Sequence, residues 1–282
     1  MINEEVLIER MLDIAFDEDI ATGDITTNSI IARSDSAVAE LKMKADGIIS
    51  GLAVARKVFD RFPDKVEWEQ LVQDGDSVHR GQIILRMRGS YRTLLQGERL
   101  ALNLLQRMSG IATETARYVA ELRGTKTRIL DTRKTAPGLR VCDKMAVRHG
   151  GGLNHRMGLH DMVLLKDNHI KAAGSIAAAV EAVRRTVPVS VKVEVETATL
   201  DEVREAVELD VDVIMLDNMD TQTMKEAIDI IDGRCYTEAS GNMTRERLAK
   251  VAAVGVDFIS VGALTHSVTA LDISMNFVPD PV

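Results

Sequence analysis

The sequence predicts an α/β protein whose second half is a series of parallel strands joined by crossover helices. Two observations carry this. From about residue 125 short apolar runs alternate with helical segments, at a repeat of about 21 to 26 residues after residue 163, and that alternation means parallel strands. The first half has a different rhythm of helices, short strands and glycine turns, so the chain divides in two. In the first half, residues 4–17 carry a helical apolar period, and AVAELKMKADGIISG (37–51) alternates like a strand before its glycines. Residues 52–62 read as a short helix. VEWEQLVQDGDSVHRGQIILRMRGS (66–90) holds two strand runs around the turn signals Asp74-Gly75 and Arg80-Gly81. A long helix follows, with Leu94, Leu95, Leu102, Leu105 and Met108 near the 3.6-residue period.

In the second half the strand candidates are 128–131, 163–166, 189–195, 213–216, 235–238 and 258–261. Helical segments fall at 175–186, 200–209, 221–231 and 244–254. Either an open doubly wound sheet or a closed β/α barrel satisfies this pattern. No Gly-x-Gly-x-x-Gly follows a first strand and no Gly-x-x-x-x-Gly-Lys-Ser/Thr occurs, which disfavours dinucleotide-binding and P-loop folds.

Composition narrows the function. The chain has 282 residues, 45% hydrophobic and 28% charged, so it is long enough for one large domain or two smaller ones. Only 3% of residues are aromatic, which leaves an aliphatic core. No apolar run approaches the roughly 18 residues of a membrane span, and the N-terminal stretch lacks the basic and apolar regions of a signal peptide. Cys142 and Cys235 lie far apart with no Cys-x-x-Cys, and read as buried thiols in a reducing cytoplasm. A net charge of -8 argues against nucleic acid as a partner. Within this acidic chain, residues 131–170 gather seven Lys or Arg, four Asp and four of the six His. A local cation cluster in an acidic protein points to a small anion.

The strand ends sharpen this expectation. The six strands run out into Thr132-Arg133-Lys134, Lys166, Glu196, Asp217, Ser240-Gly241-Asn242 and Val261-Gly262-Ala263. In β/α barrels the carboxyl ends of the strands form the active-site face. Arg133, Lys134, Arg156 and Lys166 suit carboxylates or phosphates, Arg as a planar fork and Lys as a point charge. Glu196 and Asp217 suit ribose hydroxyls or Mg²⁺. The glycine-rich ends of the last two strands suit a phosphate. Together they call for a multiply anionic substrate with a sugar-phosphate part. Other members of the cluster have plainer readings. Arg140, Lys144 and Arg148 fall at helical spacing and read as a solvated helix face. His160 and His169 read as loop residues, and His149 as a helix-end cap. His155 is the better ligand candidate because it sits beside Arg156 after Gly150-Gly151-Gly152. Asp131 and Asp143 read as partners that orient nearby bases.

These motifs resemble the quinolinate phosphoribosyltransferases. The resemblance spans nearly the whole chain. It rests on GDITT (23–27), GERLALNLLQRMSGIAT (97–113), DTRKTAPGLR (131–140), GGLNHRMGLHDMVLLKDNHI (151–170), VEVET (193–197), IMLDN (214–218), EASGN (238–242) and FISVGALTHS (258–267). Ala136 departs from a commonly found Thr and touches no charged position. The resemblance implies an incomplete β/α barrel, type II phosphoribosyltransferase-like, over 113–267. It implies an N-terminal α/β sandwich over 1–112, with the tail 268–282 packed on it. The implied reaction takes quinolinate and phosphoribosyl pyrophosphate to nicotinate mononucleotide, pyrophosphate and CO₂, in a cytoplasmic homodimer or a higher oligomer. Lys134, Lys166, Glu196 and Asp217 would be catalytic. Thr132, Arg133, His155, Arg156, Ser240, Gly241, Asn242, Val261, Gly262 and Ala263 would complete the substrate site, with Arg99 supplied by the partner subunit. Mg²⁺ would enter with the pyrophosphate, near Glu196 and Asp217. The competing expectations are a molybdenum-associated paralogue with another acceptor, and a sugar-phosphate binder without turnover.

Overall fold

A computed structural model describes residues 3–279. The elements in chain order begin with α1 (Glu4–Asp19), α2 (Ile25–Ile30), β1 (Ser36–Met43), β2 (Gly47–Ile48), α3 (Leu52–Asp60), β3 (Glu67–Gln70), β4 (Ser77–Val78), β5 (Ile83–Ser90) and α4 (Tyr91–Ala120). There follow β6 (Arg128–Leu130), α5 (Arg140–His149), β7 (Val163–Leu165), α6 (Asp167–Ala173), α7 (Ile176–Thr186), β8 (Val193–Thr197), α8 (Leu200–Glu208), β9 (Val213–Asp217) and α9 (Thr221–Ile231). The last elements are β10 (Tyr236–Ser240), α10 (Arg245–Val254), β11 (Phe258–Ser260), α11 (Ala263–His266) and β12 (Ile273–Val278). They form two compact units. The first holds the chain through Ala116, Thr135–Gly151 and the chain from Thr265; the second holds Arg117–Lys134 and Gly152–Leu264.

The first unit is built on an antiparallel sheet of order β12-β1-β5-β3. The last strand, β12, pairs with β1 in the register Leu41↔Met275. Leu41, Met43, Leu85 and Met87 bury one sheet face, and Leu94, Leu105 and Met108 of α4 are buried in the same unit. Each such side chain contributes roughly 1.5–3 kcal/mol on burial. The segment Gly23–Thr27 has a local reason for its residues: Asp24 is the N-cap of α2 and accepts the Thr27 amide at 3.0 Å. Helix α5 falls in this unit by its contacts. It buries Val141, Ala146 and Val147, and with them Asp143. Arg107 of α4 donates to both Asp143 oxygens at 2.8 Å. The expectation of a solvated basic face on α5 is corrected here. Lys144 is fully buried, Arg140 is half-buried and donates to Thr135 Oγ1 at 3.0 Å, and only Arg148 is exposed, paired with Glu4. His149 does not act as a cap: its Nδ1 lies 2.7 Å from the Ser50 hydroxyl.

The second unit is a six-stranded parallel sheet of order β6-β11-β10-β9-β8-β7. Strands neighbour one another in chain order from β7 to β11, and β6 follows β11. That is the order of a β/α barrel left open between β6 and β7. Leu153 bridges to Leu130 on the open edge of β6. Helices α7 to α10 form the crossovers, each turning an apolar face inward through residues such as Val180, Val203, Met224 and Leu248. Strand β8 begins at Val193, not at Val189 as the sequence suggests. Pro188 opens a turn in which Val191 donates to its carbonyl at 3.0 Å, and Val189 is left fully exposed. The shift puts Glu196 inside the strand, with Glu194 on the same face. Helix α6 was not expected. Lys166 and His169 close its first turn reciprocally, with the Lys166 amide donating to His169 Nδ1 at 3.0 Å.

Candidate active site

Every strand of the parallel sheet delivers predicted site residues at its carboxyl end. Thr132, Arg133 and Lys134 follow β6, and the Thr132 hydroxyl accepts the Lys134 amide at 3.0 Å, which fixes this turn. Lys166 follows β7, and its ammonium lies 3.1 Å from Glu196 on β8. Asp217 ends β9 and accepts the Asn218 side-chain amide at 2.6 Å. Ser240 ends β10, and its carbonyl accepts the Asn218 amide at 3.0 Å. Gly241 has φ +95°, and a Cβ there would run into the Asn218 side chain, so only glycine fits. Val261, Gly262 and Ala263 join β11 to the short α11, and the Val261 amide donates to Leu130 at 2.9 Å. The sheet edge thus gathers cations, carboxylates and glycine-rich turns within one unit. Arg99 lies on α4 in the first unit, with its side chain exposed.

His155 and Arg156 follow the Leu153 bridge. Asp131, fully buried at the end of β6, accepts the Asn154 side chain at 2.6 Å and the His155 amide at 2.9 Å. The expectation that Asp131 orients its neighbours therefore has a concrete form. Arg156 is 8% exposed and donates through Nη1 to the Met162 carbonyl at 2.9 Å. Burial lowers its pKa, and the nearby Arg133 charge lowers it further. Two guanidinium groups that repel one another are poised for an anion.

Beneath this edge lies a cluster that the sequence reading missed. Glu194 and Glu238 point into the barrel from β8 and β10, with side chains 0% and 2% exposed. His155 Nε2 stands 3.0 Å from Glu194 Oε2 and 3.4 Å from Glu238 Oε2. Burial pushes the Glu194 carboxyl up to about 7, against the pull of His155. On the ring, burial works against a charge, and the hydrogen bonds to Glu194 and Glu238 more than offset it. The other oxygen of each glutamate, Oε1, is buried without a hydrogen-bond partner. The signal was present in VEVET: carboxylates in the middle of a parallel strand are out of place unless they serve a site. Arg247 of α10 was also missed. It donates to the carbonyls of Gly241 and Met219 at 3.0 and 2.6 Å, and so holds the phosphate-type turn.

A cleft of about 640 Å³ lies at the opposite, amino-terminal end of the sheet, lined by Lys126, Lys192, Asp212, Tyr236 and Asp257. Its Lys126 is already paired with Asp257 at 3.1 Å, and no predicted site residue lines it. The thiols are unsuited to chemistry. Burial pushes Cys142 up to about 12 and Cys235 up to about 11.

The fold is an open β/α barrel whose carboxyl edge gathers cations, carboxylates and glycine-rich turns. Comparison with known proteins is more specific. Residues 24–109 match the quinolinate phosphoribosyl transferase N-terminal domain, and residues 111–276 match its C-terminal domain. A probable nicotinate-nucleotide pyrophosphorylase [carboxylating] of Bacillus subtilis is 44% identical over 95% of this chain and 93% of its own. The chloroplastic nicotinate-nucleotide pyrophosphorylase [carboxylating] of Arabidopsis thaliana is 44% identical over 95% of this chain and 82% of its own. The crystal structure of NadC from Streptococcus pyogenes superposes with a TM-score of 0.92, at 40% identity, over 97% of this chain and 98% of that one. The chain belongs to the quinolinate phosphoribosyltransferase family.

Proposed function

We propose that this protein transfers the phosphoribosyl group of phosphoribosyl pyrophosphate to quinolinate, with decarboxylation, giving nicotinate mononucleotide for NAD synthesis. The observation that carries this is the carboxyl edge of the parallel sheet, where Arg133, Lys134, Arg156 and Lys166 stand with Glu196 and Asp217. Arg133 and Arg156, with the His155 turn and Thr132, take the two carboxylates of the acceptor. Lys134 and Lys166 meet phosphate oxygens, and Glu196 and Asp217 hold the ribose hydroxyls. Ser240, Gly241 and Asn242, with Val261, Gly262 and Ala263, supply amide donors to the 5-phosphate. Glu196 and Asp217 are also hard oxygen donors of the kind Mg²⁺ takes, and the ion, arriving with the pyrophosphate, would neutralise charge on the leaving group.

The chemistry then needs positioning more than acid–base help. The pyridine nitrogen lone pair forms the bond to the anomeric carbon while the bond to pyrophosphate oxygen breaks. Positive charge develops on the sugar, and the carboxylates of Glu196 and Asp217 would stabilise it. The ring becomes a pyridinium. The bond to the 2-carboxylate breaks, CO₂ leaves, the electron pair stays on the ring carbon, and that carbon takes a proton from water.

A homodimer, with Arg99 of one subunit completing the neighbouring site, belongs to the same proposal. It is supported by the exposure of Arg99 and by the need for a further cation facing a dicarboxylate. A cytoplasmic location fits the two free thiols, Cys142 and Cys235. No helix among the described residues is long and apolar enough to cross a membrane. The test is an acceptor comparison in the presence of phosphoribosyl pyrophosphate and Mg²⁺. Mononucleotide from quinolinate but not from nicotinate is the expected result. Turnover of nicotinate instead, or binding of phosphoribosyl pyrophosphate with no product from quinolinate, would overturn the assignment.

A further inference from the structure

Arg247 stands where helix physics disfavours it. It is the third residue of α10, and the first turn of a helix carries partial positive charge that favours carboxylates over cations. Its guanidinium is committed outside the helix. Nη1 donates to the Gly241 carbonyl at 3.0 Å and Nη2 to the Met219 carbonyl at 2.6 Å. Gly241 follows β10, and Met219 lies two residues past β9. One planar fork therefore ties two neighbouring strand exits, a task that suits the fixed geometry of Arg better than the single nitrogen of Lys. Its charge is also felt by Asp220, the exposed N-cap of α9. All of these residues lie in the second unit.

The two exits need such a tie. Asn218, Gly241 and Asn242 have φ of +55°, +95° and +49°. Left-handed backbone is unfavourable for asparagine and persists where the surroundings hold it. The exits also grip each other. The Asn218 amide donates to the Ser240 carbonyl at 3.0 Å, and the Asn218 side chain donates to Asp217 at 2.6 Å. Asp217 and the Ser240–Asn242 turn thus form one assembly, with Arg247 behind it. Both ends of the guanidinium face carbonyls, so the fork is aimed at backbone rather than at an anion. The cations at the sheet edge, Arg133, Lys134 and Lys166, leave from β6 and β7 and take no part in this tie.

We propose that Arg247 is a positioning residue that fixes the span between the Asp217 carboxylate and the amides of the Ser240–Asn242 turn, and thereby sets affinity for the phosphoribosyl donor rather than for the acceptor. This rests on the reading of the sheet edge as a site for phosphoribosyl pyrophosphate. A pentose 5-phosphate offers hydroxyls and a phosphate at a set separation. Asp217 takes the hydroxyls and the turn takes the phosphate, so a fixed span selects a sugar phosphorylated at that end. Arg247 touches neither group and acts through the two backbones it joins.

The test compares the full-length protein with Arg247→Met, which keeps a long stem without donors, and with Arg247→Lys, which keeps the charge and restores one contact. The first measurement is amide hydrogen exchange without substrate. In Arg247→Met, residues 217–219 and 240–242 should exchange about tenfold faster or more, while β7 and β8 stay as protected as in the unaltered protein. Unchanged exchange at 217–219 and 240–242 would overturn the proposal. Faster exchange throughout the parallel sheet would make Arg247 a general stabilising residue and would also overturn it. The second measurement is steady-state kinetics. In Arg247→Met, KM for phosphoribosyl pyrophosphate should rise by about tenfold to a hundredfold, the scale of a lost charge-assisted hydrogen bond, with KM for quinolinate and kcat within about twofold. Arg247→Lys should recover part of that loss. An equal rise in both KM values, or a fall in kcat with KM for phosphoribosyl pyrophosphate unchanged, would contradict a positioning role toward the donor. Hydrogen exchange needs no substrate, so a protein that shows the local loosening yet fails to use quinolinate would refute the functional reading alone.

Discussion

The two sheets of this protein carry charge on opposite terms. On the antiparallel sheet, Glu40 of β1 and Glu69 of β3 each stand in register with Arg86 of β5, and the Arg86–Glu40 contact is 2.8 Å. These groups are partly open to water, from 19% exposed at Glu40 to 61% at Glu69. Such pairs add little to stability, since water screens them and two long side chains must be ordered. On the parallel sheet the charges face inward, from Glu194, Glu196, Asp217 and Glu238. Burial there is unfavourable and no stability argument explains it. The difference teaches where to look for function: charge on a solvated face is replaceable, whereas charge inside a barrel is kept for chemistry.

The comparison can be broken first at Arg133. Replacing it by Ala should lower kcat/KM by roughly 10²–10³-fold, the range for losing a preorganised electrostatic partner, with the thermal midpoint nearly unchanged. Near-wild-type turnover would remove Arg133 from the site. A buried charge in the first unit gives the contrasting case. Asp143→Asn leaves Arg107 facing a weaker partner and should cost about 3–5 kcal/mol of stability, as for other broken buried pairs. Denaturant unfolding reads this directly. A loss below about 1 kcal/mol would place that pair with the surface ones.

A pH experiment sharpens the comparison further. The Glu194 carboxyl is held above its ordinary 4.5, at about 7, so the folded state binds a proton that the unfolded chain has already released. Its contribution is fully present below about 4.5 and is lost as pH rises through about 7. Stability should therefore fall across that window in the wild type, and the fall should be shallower in Glu194→Gln. Equal slopes in the two proteins would refute the shift. The smallest effect belongs to the antiparallel sheet. Arg86→Ala should leave turnover unchanged and move the thermal midpoint by little, and a loss of activity there would undo the contrast between the sheets.

Much of the fold was legible because the parallel strands have clear apolar runs and the helices between them clear faces. The same runs exposed Lys166, Asp217 and Ser240 as exits at strand ends. Glu194 was not legible for the same reason. With the strand placed at 189–195, Glu194 fell inside the run rather than beyond its end, where site residues were sought, and the strand in fact starts at Val193. Lys144 was misjudged because helical spacing gives a direction but not what lies in that direction, and α5 packs in the first unit. The Arg107–Asp143 contact joins residues 36 apart, which no local pattern records. Sequence thus shows which residues leave a strand, while long-range packing decides which charges are buried.

The most direct measurement of the central claim is product stoichiometry with quinolinate ¹³C-labelled at the 2-carboxylate. The account predicts one labelled CO₂ and one nicotinate mononucleotide for each pyrophosphate released. Pyrophosphate release without labelled CO₂, or a mononucleotide that retains the label, would contradict it.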